Sequence, residues 1–277
     1  MKLCRFQPQY VPPEKIGATI HPGVLQGVIS GDVVREVSGE IFGKWTVTDR
    51  SWPLNDVKLL TPVVPSKIVC LGRNYLDHAA EFNNLPPKEP LIFLKPPSSL
   101  LAPEEPIVLP PNVQRIDFEG ELAVIISREC HLLSDDDDVR PYIAGYTLLN
   151  DVSARDYQMA TSQWMIGKTF DTFAPMGPAI VSADEIADPH NLDISLTING
   201  ETLQHSNTKN LIFQIPDLIE YLSAVFTLES GDVISTGTPA GVGFARKPPR
   251  FLKPGDDVVV RVEGLGELRN RVANEIG

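Results

Sequence analysis

Proline and glycine interrupt this sequence so often that long helices cannot make up its fold. The 277 residues include 25 prolines and 20 glycines. Proline ends or kinks a helix, and glycine favours turns. The stretches between them are short and rich in residues that prefer strands. We therefore expect an α+β fold with many short elements around a mixed β core.

The strongest strand predictions lie beyond residue 60. They are LIFLKP (91–96), ELAVII (121–126), YIAGYTLLN (142–150), DISLTING (193–200), DVISTGT (232–238) and DVVVRVEG (257–264). Fewer helices are predicted: NYLDHAAEF (74–82), DVRPYIAG after its acidic start, and a segment from Pro216. The last has one apolar stripe, which consists of Leu218, Ile219, Leu222, Val225 and Phe226.

The first 60 residues contain β-prone runs between glycine turns and few candidates for chemistry. GVLQGVI and DVVREV flank SGD, a good sequence for a tight turn. The run VKLLTPVVPSKIVCLG then crosses two prolines before a strand that looks buried. We expect a small β-rich N-terminal domain over residues 1–60 and a larger domain over residues 61–277.

Composition excludes several classes of function. The net charge of −12 and the pI of about 4.9 disfavour nucleic acid and anionic membranes as partners. The longest apolar runs have about five residues, too few to span a bilayer. The N-terminus lacks the apolar stretch of a signal peptide. Three cysteines without pairing pattern (Cys4, Cys70 and Cys130) suit buried thiols in a reducing compartment, so we expect a cytoplasmic protein.

The acidic run SDDDD at 134–138 suggests a metal site or an interaction segment, but a helix start explains it better. Ser134 is a good N-cap, and acidic side chains in a first turn interact favourably with the helix dipole. We therefore predict that Ser134 caps a helix.

A second acidic pattern is harder to explain without chemistry. In RIDFEGELAVII (115–126), Asp117, Glu119 and Glu121 are two residues apart, so on a single strand they would share a face and repel one another. An exposed face, pairing with lysine or arginine, or a different local structure would each account for them. Asp151 follows the strand YTLLN and adds a further carboxylate. A cation that prefers oxygen ligands, Mg²⁺, Mn²⁺ or Ca²⁺, would hold Glu119, Glu121 and Asp151 together.

Three other segments contain candidate functional groups. His78 and Glu81 are three residues apart in GRNYLDHAAEF, so on a helix they can form a hydrogen bond that orients the imidazole. A solvated helix face is the alternative. TGTPAGVGF is either an anion-binding nest of backbone amides or a plain turn. Lys168 lies in GKTFDTFAPMGP.

The order of these motifs along residues 60–277 resembles that of the fumarylacetoacetate hydrolase family. The matching segments are GRNYLDHAAE, LIFLKP, DFEGELAVII, GYTLLNDVSARDYQ, GKTFDTFAPMGP and TGTPAGVG. The resemblance implies a mixed β-roll catalytic domain that binds Mg²⁺ or Mn²⁺ and forms a homodimer. The N-terminal segment resembles the small extra domain of many members.

The resemblance also implies a role for individual residues. It makes Glu119, Glu121 and Asp151 the metal ligands and leaves the role of Asp117 open. It makes His78, Glu81 and Lys168 catalytic. It gives contacts with the substrate to Arg73, Arg155, Gln158 and Thr238.

Such a site would stabilise an enolate formed from a 2-oxo acid, and several reactions use that enolate. The first expectation is a hydrolase that cleaves a carbon–carbon bond in 2,4-dioxo acids (acylpyruvates). The alternatives are a decarboxylase, tautomerase or isomerase acting on oxaloacetate-like or unsaturated 2-oxo dioic acids, and a non-catalytic metal-binding module. The motifs do not separate these reactions. The pocket walls and the loop around EFNNLPPKEP are expected to do so.

Overall fold

Short strands make up most of the structure, a computed structural model that describes residues 1–9, 23–81, 85–134 and 136–275. The strands up to residue 126 are β1 Lys2–Pro8, β2 Leu25–Ser30, β3 Val33–Gly39, β4 Trp45–Pro53, β5 Val57–Leu60, β6 Ile68–Gly72, β7 Leu91–Lys95, β8 Leu100–Leu101, β9 Ile107–Leu109, β10 Ile116–Asp117 and β11 Gly120–Ile126. The later strands are β12 Ile143–Asn150, β13 Ser153–Ala154, β14 Ala174–Ser182, β15 Asp193–Ile198, β16 Glu201–Asn207, β17 Val233–Ser235, β18 Asp257–Val262 and β19 Gly266–Asn274.

The helices among the described residues are short. The α-helices are α1 Leu76–Glu81, α2 Arg155–Gln158 and α3 Ile215–Ser223. Single 3₁₀ turns lie at Leu54–Asp56, Pro97–Ser99, Arg140–Tyr142, Trp164–Gly167, Ala183–Glu185, Thr208–Asn210 and Gly243–Ala245. No helix in the described part of the chain is both long and apolar enough to cross a membrane. The predicted α+β fold with a mixed β core is confirmed.

One mixed sheet of twelve strands includes both the N-terminal segment and the centre of the chain. Its order is β4-β3-β2-β1-β14-β12-β11-β17-β6-β7, with β5 also paired to β1 and β8 to β14. The predicted SGD turn joins β2 to β3, and Gly31 has the positive φ of 59° that such a turn requires. Because β1 pairs with β14, the first 60 residues extend the sheet of the larger segment. The domain boundary near residue 60 stays a prediction.

A five-stranded sheet, in the order β16-β15-β18-β19-β9, covers one face of the large sheet. Side chains of β11 alternate between two buried clusters, as a strand buried on both faces requires. Leu122 and Val124 belong to the cluster that includes Leu196 and Val260 of the smaller sheet, whereas Ala123 belongs to the cluster on the other face. The three cysteines are buried and free, as expected.

The single strand predicted over residues 115–126 is wrong, because the chain changes partner within it. Asp117 in β10 pairs with β13, whereas Gly120 begins β11 and pairs with β12. Between the two strands the backbone N–H of Glu119 donates to Oδ1 of Asn150. Asp117 and the two glutamates therefore do not lie on one continuous strand.

The predicted helix cap at Ser134 is also wrong. The backbone N–H and hydroxyl of Ser134 both donate to Oδ2 of Asp137, at 2.8 and 2.9 Å. These bonds close a local turn, and they lower the pKa of Asp137. The next helical turn, Arg140–Tyr142, leads directly into strand β12, so DVRPYIAG does not form the predicted helix.

The other two helix predictions are correct in type but not in length. α1 begins at Leu76, and Phe82 to Asn84 lie outside the described residues, as does part of the EFNNLPPKEP loop. In α3, Leu218, Ile219 and Leu222 are buried, as the stripe predicted. Val225 lies beyond the end of the helix and is exposed.

Candidate active site

The candidate site lies at one end of the large sheet, where several strands begin or end together. Gly120 at the start of β11 pairs with Asn150 at the end of β12, which places Asp151 beside the glutamates. On the other side of β11, Ser235 ends β17 and pairs with Cys70, two residues before the end of β6. The chain after β6 continues into α1. Strand ends with loops between them are a common place for functional side chains.

Glu119, Glu121 and Asp151 form a buried triad, as predicted. One carboxylate oxygen from each lies within 4.8 Å of the others. The backbone N–H of Asp151 donates to the carbonyl of Glu119 at 2.8 Å. The two segments are therefore held together by backbone bonds as well as by side chains.

Two buried lysines share the negative charge of the triad. Lys168 Nζ donates to Glu119 Oε2 at 2.6 Å and to Asp151 Oδ2 at 2.5 Å. Lys95 Nζ donates to Asp151 Oδ1 at 2.6 Å and to the carbonyl of Val152 at 3.2 Å. Burial disfavours the charge of Lys168, but Asp151 and Glu119 outweigh it and raise its pKa to about 12. The two carboxylates therefore favour the charged form of Lys168 in this site.

The two glutamates have pKa values shifted in opposite directions. Burial opposes the charge of Glu119, but Lys168 and Arg155 outweigh burial and lower its pKa well below the ordinary value. Burial raises the pKa of Glu121, and the carboxylates of Asp151 and Glu119 raise it further. No cationic side chain among the described residues bonds to Glu121. A cation at the triad would therefore compensate Glu121 above all.

The hydrogen bonds of Glu121 leave one of its oxygens for such a cation. Ser235 Oγ at 2.5 Å and the backbone N–H of Gly237 at 2.9 Å both donate to Oε2. Oε1 accepts no hydrogen bond from the described residues. Three oxygen donors without nitrogen or sulfur suit Mg²⁺ or Mn²⁺, and also Ca²⁺. The side chains present thus fit a divalent cation.

His78 and Glu81 form the predicted pair on α1. His78 Nδ1 and Glu81 Oε2 are 3.1 Å apart, and the other oxygen of Glu81 accepts from the backbone N–H of Gly241 at 2.9 Å. A carboxylate at Nδ1 favours a proton on that nitrogen and leaves Nε2 as the basic atom. His78 is buried and lines the same cleft as Glu119 and Glu121 of the triad, so these side chains can act on one ligand.

The TGTPAGVGF loop is a nest of backbone amides, but it binds carboxylates of the protein itself. The N–H of Gly237 donates to Glu121, that of Gly241 to Glu81, and those of Gly243 and Phe244 to Asp117. The loop therefore connects the triad, the histidine pair and Asp117. These four amides are therefore already bonded to carboxylates of the protein before any ligand enters.

The four predicted substrate-binding residues line the cleft, which has a volume of about 330 Å³. They are Arg73, Arg155, Gln158 and Thr238. Arg155 Nη1 donates to Gln158 Oε1 at 2.8 Å. The guanidinium of Arg73 lies 5.3 Å from the centre of the Trp164 ring. The structure brings these residues together, and their contacts with a substrate remain predictions.

Sequence reasoning missed three residues that organise the site. Lys95 bonds to Asp151, and Ser235 bonds to Glu121. Gln204 of β16 accepts from the N–H of Gly120 and donates to the hydroxyl of Thr238. Lys95 lies in LIFLKP, one of the segments that resemble the family, so the sequence contains a signal for it. Nothing in the local pattern marks Gln204, because its partners are 84 and 34 residues away.

Comparison with known proteins agrees with this geometry. The family described as Fumarylacetoacetate (FAA) hydrolase C-terminal matches residues 67–273, and the one described as Rv2993c-like, N-terminal matches residues 1–62. Oxaloacetate tautomerase Fahd2a, mitochondrial, from Rattus norvegicus is 50% identical over 223 residues, which is 79% of this chain and 71% of the relative.

Solved structures match over nearly the whole chain. One is 2-hydroxyhepta-2,4-diene-1,7-dioate isomerase from Mycobacterium marinum, with 39% identity, a TM-score of 0.85 and full coverage of both chains. Another is fumarylacetoacetate hydrolase from Exiguobacterium antarcticum, with 34% identity and a TM-score of 0.84 over 99% of this chain and 100% of that one. The family match covers well over half of the sequence, and the fold and the buried carboxylates agree with it. The chain belongs to the fumarylacetoacetate hydrolase family.

Proposed function

We propose that this protein is a divalent-cation-dependent tautomerase or isomerase of 2-oxo dioic acids related to oxaloacetate. The observation that carries the proposal is that His78, which is paired with Glu81, lines the same cleft as Glu119 and Glu121 of the buried carboxylate triad. Moving a proton between carbon and oxygen needs a base and a means to stabilise an enolate, and the cleft offers both. The relatives named as a tautomerase and an isomerase favour this reaction over the hydrolysis that the sequence analysis put first.

Arg155 and Gln158 bind the carboxylate of the 2-oxo acid in this proposal. Both line the cleft, and a guanidinium beside an amide offers several N–H donors to a carboxylate. Lys168 carries a positive charge beside Glu119 and Asp151. A divalent cation on the triad would supply further stabilisation of the negative charge that develops on the 2-oxo oxygen.

His78 moves the proton. Glu81 holds Nδ1–H, so that Nε2 takes a proton from the carbon next to the keto group and Glu81 stabilises the charged imidazole. The same nitrogen returns the proton to oxygen, or to another carbon of an unsaturated acid. Neither product requires water, and no carbon–carbon bond is broken. Base catalysis of this kind contributes typically about 10² to 10⁴ in rate.

Hydrolysis of acylpyruvates is the second candidate. The solved relative named fumarylacetoacetate hydrolase supports it, and the cleavage would release the same kind of enolate. His78 would then activate a water molecule in place of a carbon acid. A non-catalytic module that only binds a metal is the third candidate, and it would have no use for the pair of His78 and Glu81.

A substrate panel with Mg²⁺ tests the proposal. Oxaloacetate, unsaturated 2-oxo dioic acids and acylpyruvates are incubated with the protein, and enol absorbance and released pyruvate are measured in parallel. We expect faster interconversion of enol and keto forms without cleavage products. Cleavage of acylpyruvates alone would favour the hydrolase, and loss of carbon dioxide from oxaloacetate would favour a decarboxylase. No turnover of any compound would favour the binding module.

A further inference from the structure

Asp117 is completely buried beside the cleft, yet it lies outside the carboxylate triad. Its Oδ1 accepts from the backbone N–H groups of Phe118 at 2.9 Å and Gly243 at 2.7 Å. Its Oδ2 accepts from Arg155 Nε at 2.9 Å, Arg155 Nη2 at 2.7 Å and the N–H of Phe244 at 3.0 Å. An ionised carboxylate has about four lone-pair positions. Five donors therefore leave no position for a cation.

We propose that Asp117 is a positioning residue that fixes Arg155 and, through it, Gln158 for recognition of the substrate carboxylate. The inference rests on the proposed function only in assuming that the ligand is a 2-oxo acid. It gives Asp117 a task that differs from metal binding.

Arg155 is held on three sides before any ligand binds. A guanidinium has five N–H groups. In Arg155, the Nε–H and one N–H on Nη2 donate to Asp117. The second N–H on Nη2 donates to Glu119 at 2.6 Å, and one N–H on Nη1 donates to Gln158. The described residues accept four of the five. The remaining N–H, on Nη1, belongs to a side chain that lines the cleft, so it can donate to a ligand.

The same contact orients the amide of Gln158. Because Gln158 Oε1 accepts from Arg155 Nη1 at 2.8 Å, its Nε2 is on the opposite branch of the amide, and no described residue accepts from it. Gln158 also lines the cleft. Arg155 and Gln158 thus present N–H groups side by side, which suits a carboxylate. If Arg155 moved, the amide would lose the partner that sets its orientation.

Asp117 also holds a second part of the cleft wall, the segment at Phe244. Phe244 lines the cleft, and its backbone N–H is one of the five donors to Asp117. At Gly243 there is no room for a side chain, since a Cβ would lie 2.7 Å from Asp117 Oδ1 and even closer to the carbonyl of Arg250. Because this loop and Arg155 both contact the carboxylate of Asp117, the distance between the loop and Arg155 is fixed as well.

The test measures binding of oxalate, a planar two-carbon dianion that resembles the carboxylate and enolate end of a 2-oxo acid. Calorimetry with the Mg²⁺-saturated protein gives the oxalate Kd of wild type, Asp117→Asn, Arg155→Lys and the double variant. We expect Asp117→Asn to weaken binding at least tenfold, because an asparagine nitrogen would face donors and release the guanidinium. In the Arg155→Lys background the same change should cost less than threefold. Mg²⁺ affinity should stay within threefold throughout.

Equal losses in both backgrounds would overturn the proposal, because Asp117 would then act independently of Arg155. A large loss of Mg²⁺ affinity in Asp117→Asn would overturn it too. The matched control is Asp232→Asn. Asp232 is equally buried, accepts from two backbone N–H groups, a hydroxyl and Lys67, and does not line the cleft. Its variant should lose stability but keep the oxalate Kd.

A second measurement needs no change at Asp117, in case Asp117→Asn does not fold. The Arg155 Nε–H signal in a ¹⁵N–¹H spectrum is identified by its loss in Arg155→Lys. We expect this proton to exchange slowly in the ligand-free, Mg²⁺-saturated protein and to change little when oxalate is added. A proton that is protected only after oxalate binds would contradict preorganisation. Oxalate binding does not depend on which reaction the protein catalyses. A failure of the tautomerase proposal in the substrate panel would therefore not change the interpretation of the oxalate measurements.

Discussion

Glu119 and Asp151 share the ammonium of Lys168, whereas Glu121 bonds only to a hydroxyl and a backbone amide among the described residues. The negative charge of the triad is therefore unevenly compensated. Buried charges persist only when they are paired or bind a metal. Burial and the carboxylates of Asp151 and Glu119 raise the pKa of Glu121, and a divalent cation would complete the pairing of its charge. The same cation would leave Lys168 and His78 to act on the substrate.

The roles of His78 and Glu81 can be separated from that of the triad by substitution. His78→Ala should lower the tautomerisation rate at least tenfold and plausibly about 10²- to 10⁴-fold, with Mg²⁺ affinity nearly unchanged. Glu81→Gln should cost less, because the imidazole remains but loses its charged partner. The rate and the calorimetric Mg²⁺ affinity are measured on the same samples.

His205→Ala is the control for this pair, since His205 is exposed on β16 and does not line the cleft. It should leave both quantities unchanged. If His78→Ala lost metal affinity together with its rate, His78 would be a ligand or a structural residue. A His78→Ala variant with the full tautomerisation rate would show that His78 is not the base.

At the scale of secondary-structure elements, the side-chain amide of Gln204 connects the two sheets beside the site. Gln204 of β16 accepts from the N–H of Gly120 at 2.9 Å and donates to Thr238 Oγ1 and the carbonyl of Pro239, both at 2.8 Å. Gly120 lies between the two glutamates of the triad. The small sheet therefore fixes both the ligand strand and the loop that follows β17.

Gln204→Leu should lower the free energy of unfolding by about 1 to 3 kcal/mol, the usual cost of leaving a buried donor such as the Gly120 N–H without a partner. Chemical denaturation measures this change. Thr202→Val on the same strand is the control, because Thr202 is exposed and its substitution should change stability by less than about 0.5 kcal/mol. Equal free energies of unfolding for Gln204→Leu and wild type would show that the hydrogen bonds of Gln204 do not stabilise the fold.

A second element contact gives a pH dependence. His190 Nε2 accepts from the backbone N–H of Ile215, the first residue of α3, at 3.2 Å, and burial lowers the pKa of His190. A lowered pKa in the folded state means that this histidine favours folding above its ordinary pKa of about 6.5 and loses that contribution as the pH falls below it. We expect the thermal stability of His190→Gln to fall less than that of wild type when the pH is lowered from 7.5 to 5.5.

Thermal unfolding at both pH values measures the difference. His205→Gln serves as the comparison, because His205 is exposed and should follow wild type. The same pH-dependent loss in His190→Gln as in wild type would contradict the assignment.

Local patterns predict elements well here but fail where a distant residue decides the backbone. The alternating apolar residues of β11 and the stripe on α3 are visible in the sequence because burial repeats with the period of the element. The break between Asp117 and Gly120 is not visible, because it depends on Asn150 and on Arg155 and Gly243. Gln204 was missed for the same reason. That the candidate site residues lie close together was predictable, because they occur in motifs with a fixed order; their roles stay predictions.

At the scale of the whole molecule, the cleft is built from segments that span most of the chain. His78 lies on α1, which follows β6. The triad lies at the start of β11 and the end of β12, and the loop after β17 forms one side of the cleft. The first 60 residues contribute strands to the same large sheet, and the described ones among them, 1–9 and 23–60, do not line the cleft.

A homodimer is our prediction for the assembly. β7 is a terminal strand of the large sheet and exposes the apolar side chains of Leu91 and Leu94, and an exposed apolar edge favours pairing with another chain. Light scattering over a range of concentrations should give twice the chain mass of 30.4 kDa. A single-chain mass at every concentration would contradict the prediction.

The most direct test of the whole account is the rate of oxaloacetate enol-to-keto conversion in the presence of a chelator and after metal is restored. We expect chelation to remove the catalysed rate and excess Mg²⁺ or Mn²⁺ to restore it in wild type. The Glu119→Gln, Glu121→Gln double variant should not recover, because two of its three ligands have lost their charge. An undiminished rate in the chelated wild type, or full activity of the double variant, would contradict the account.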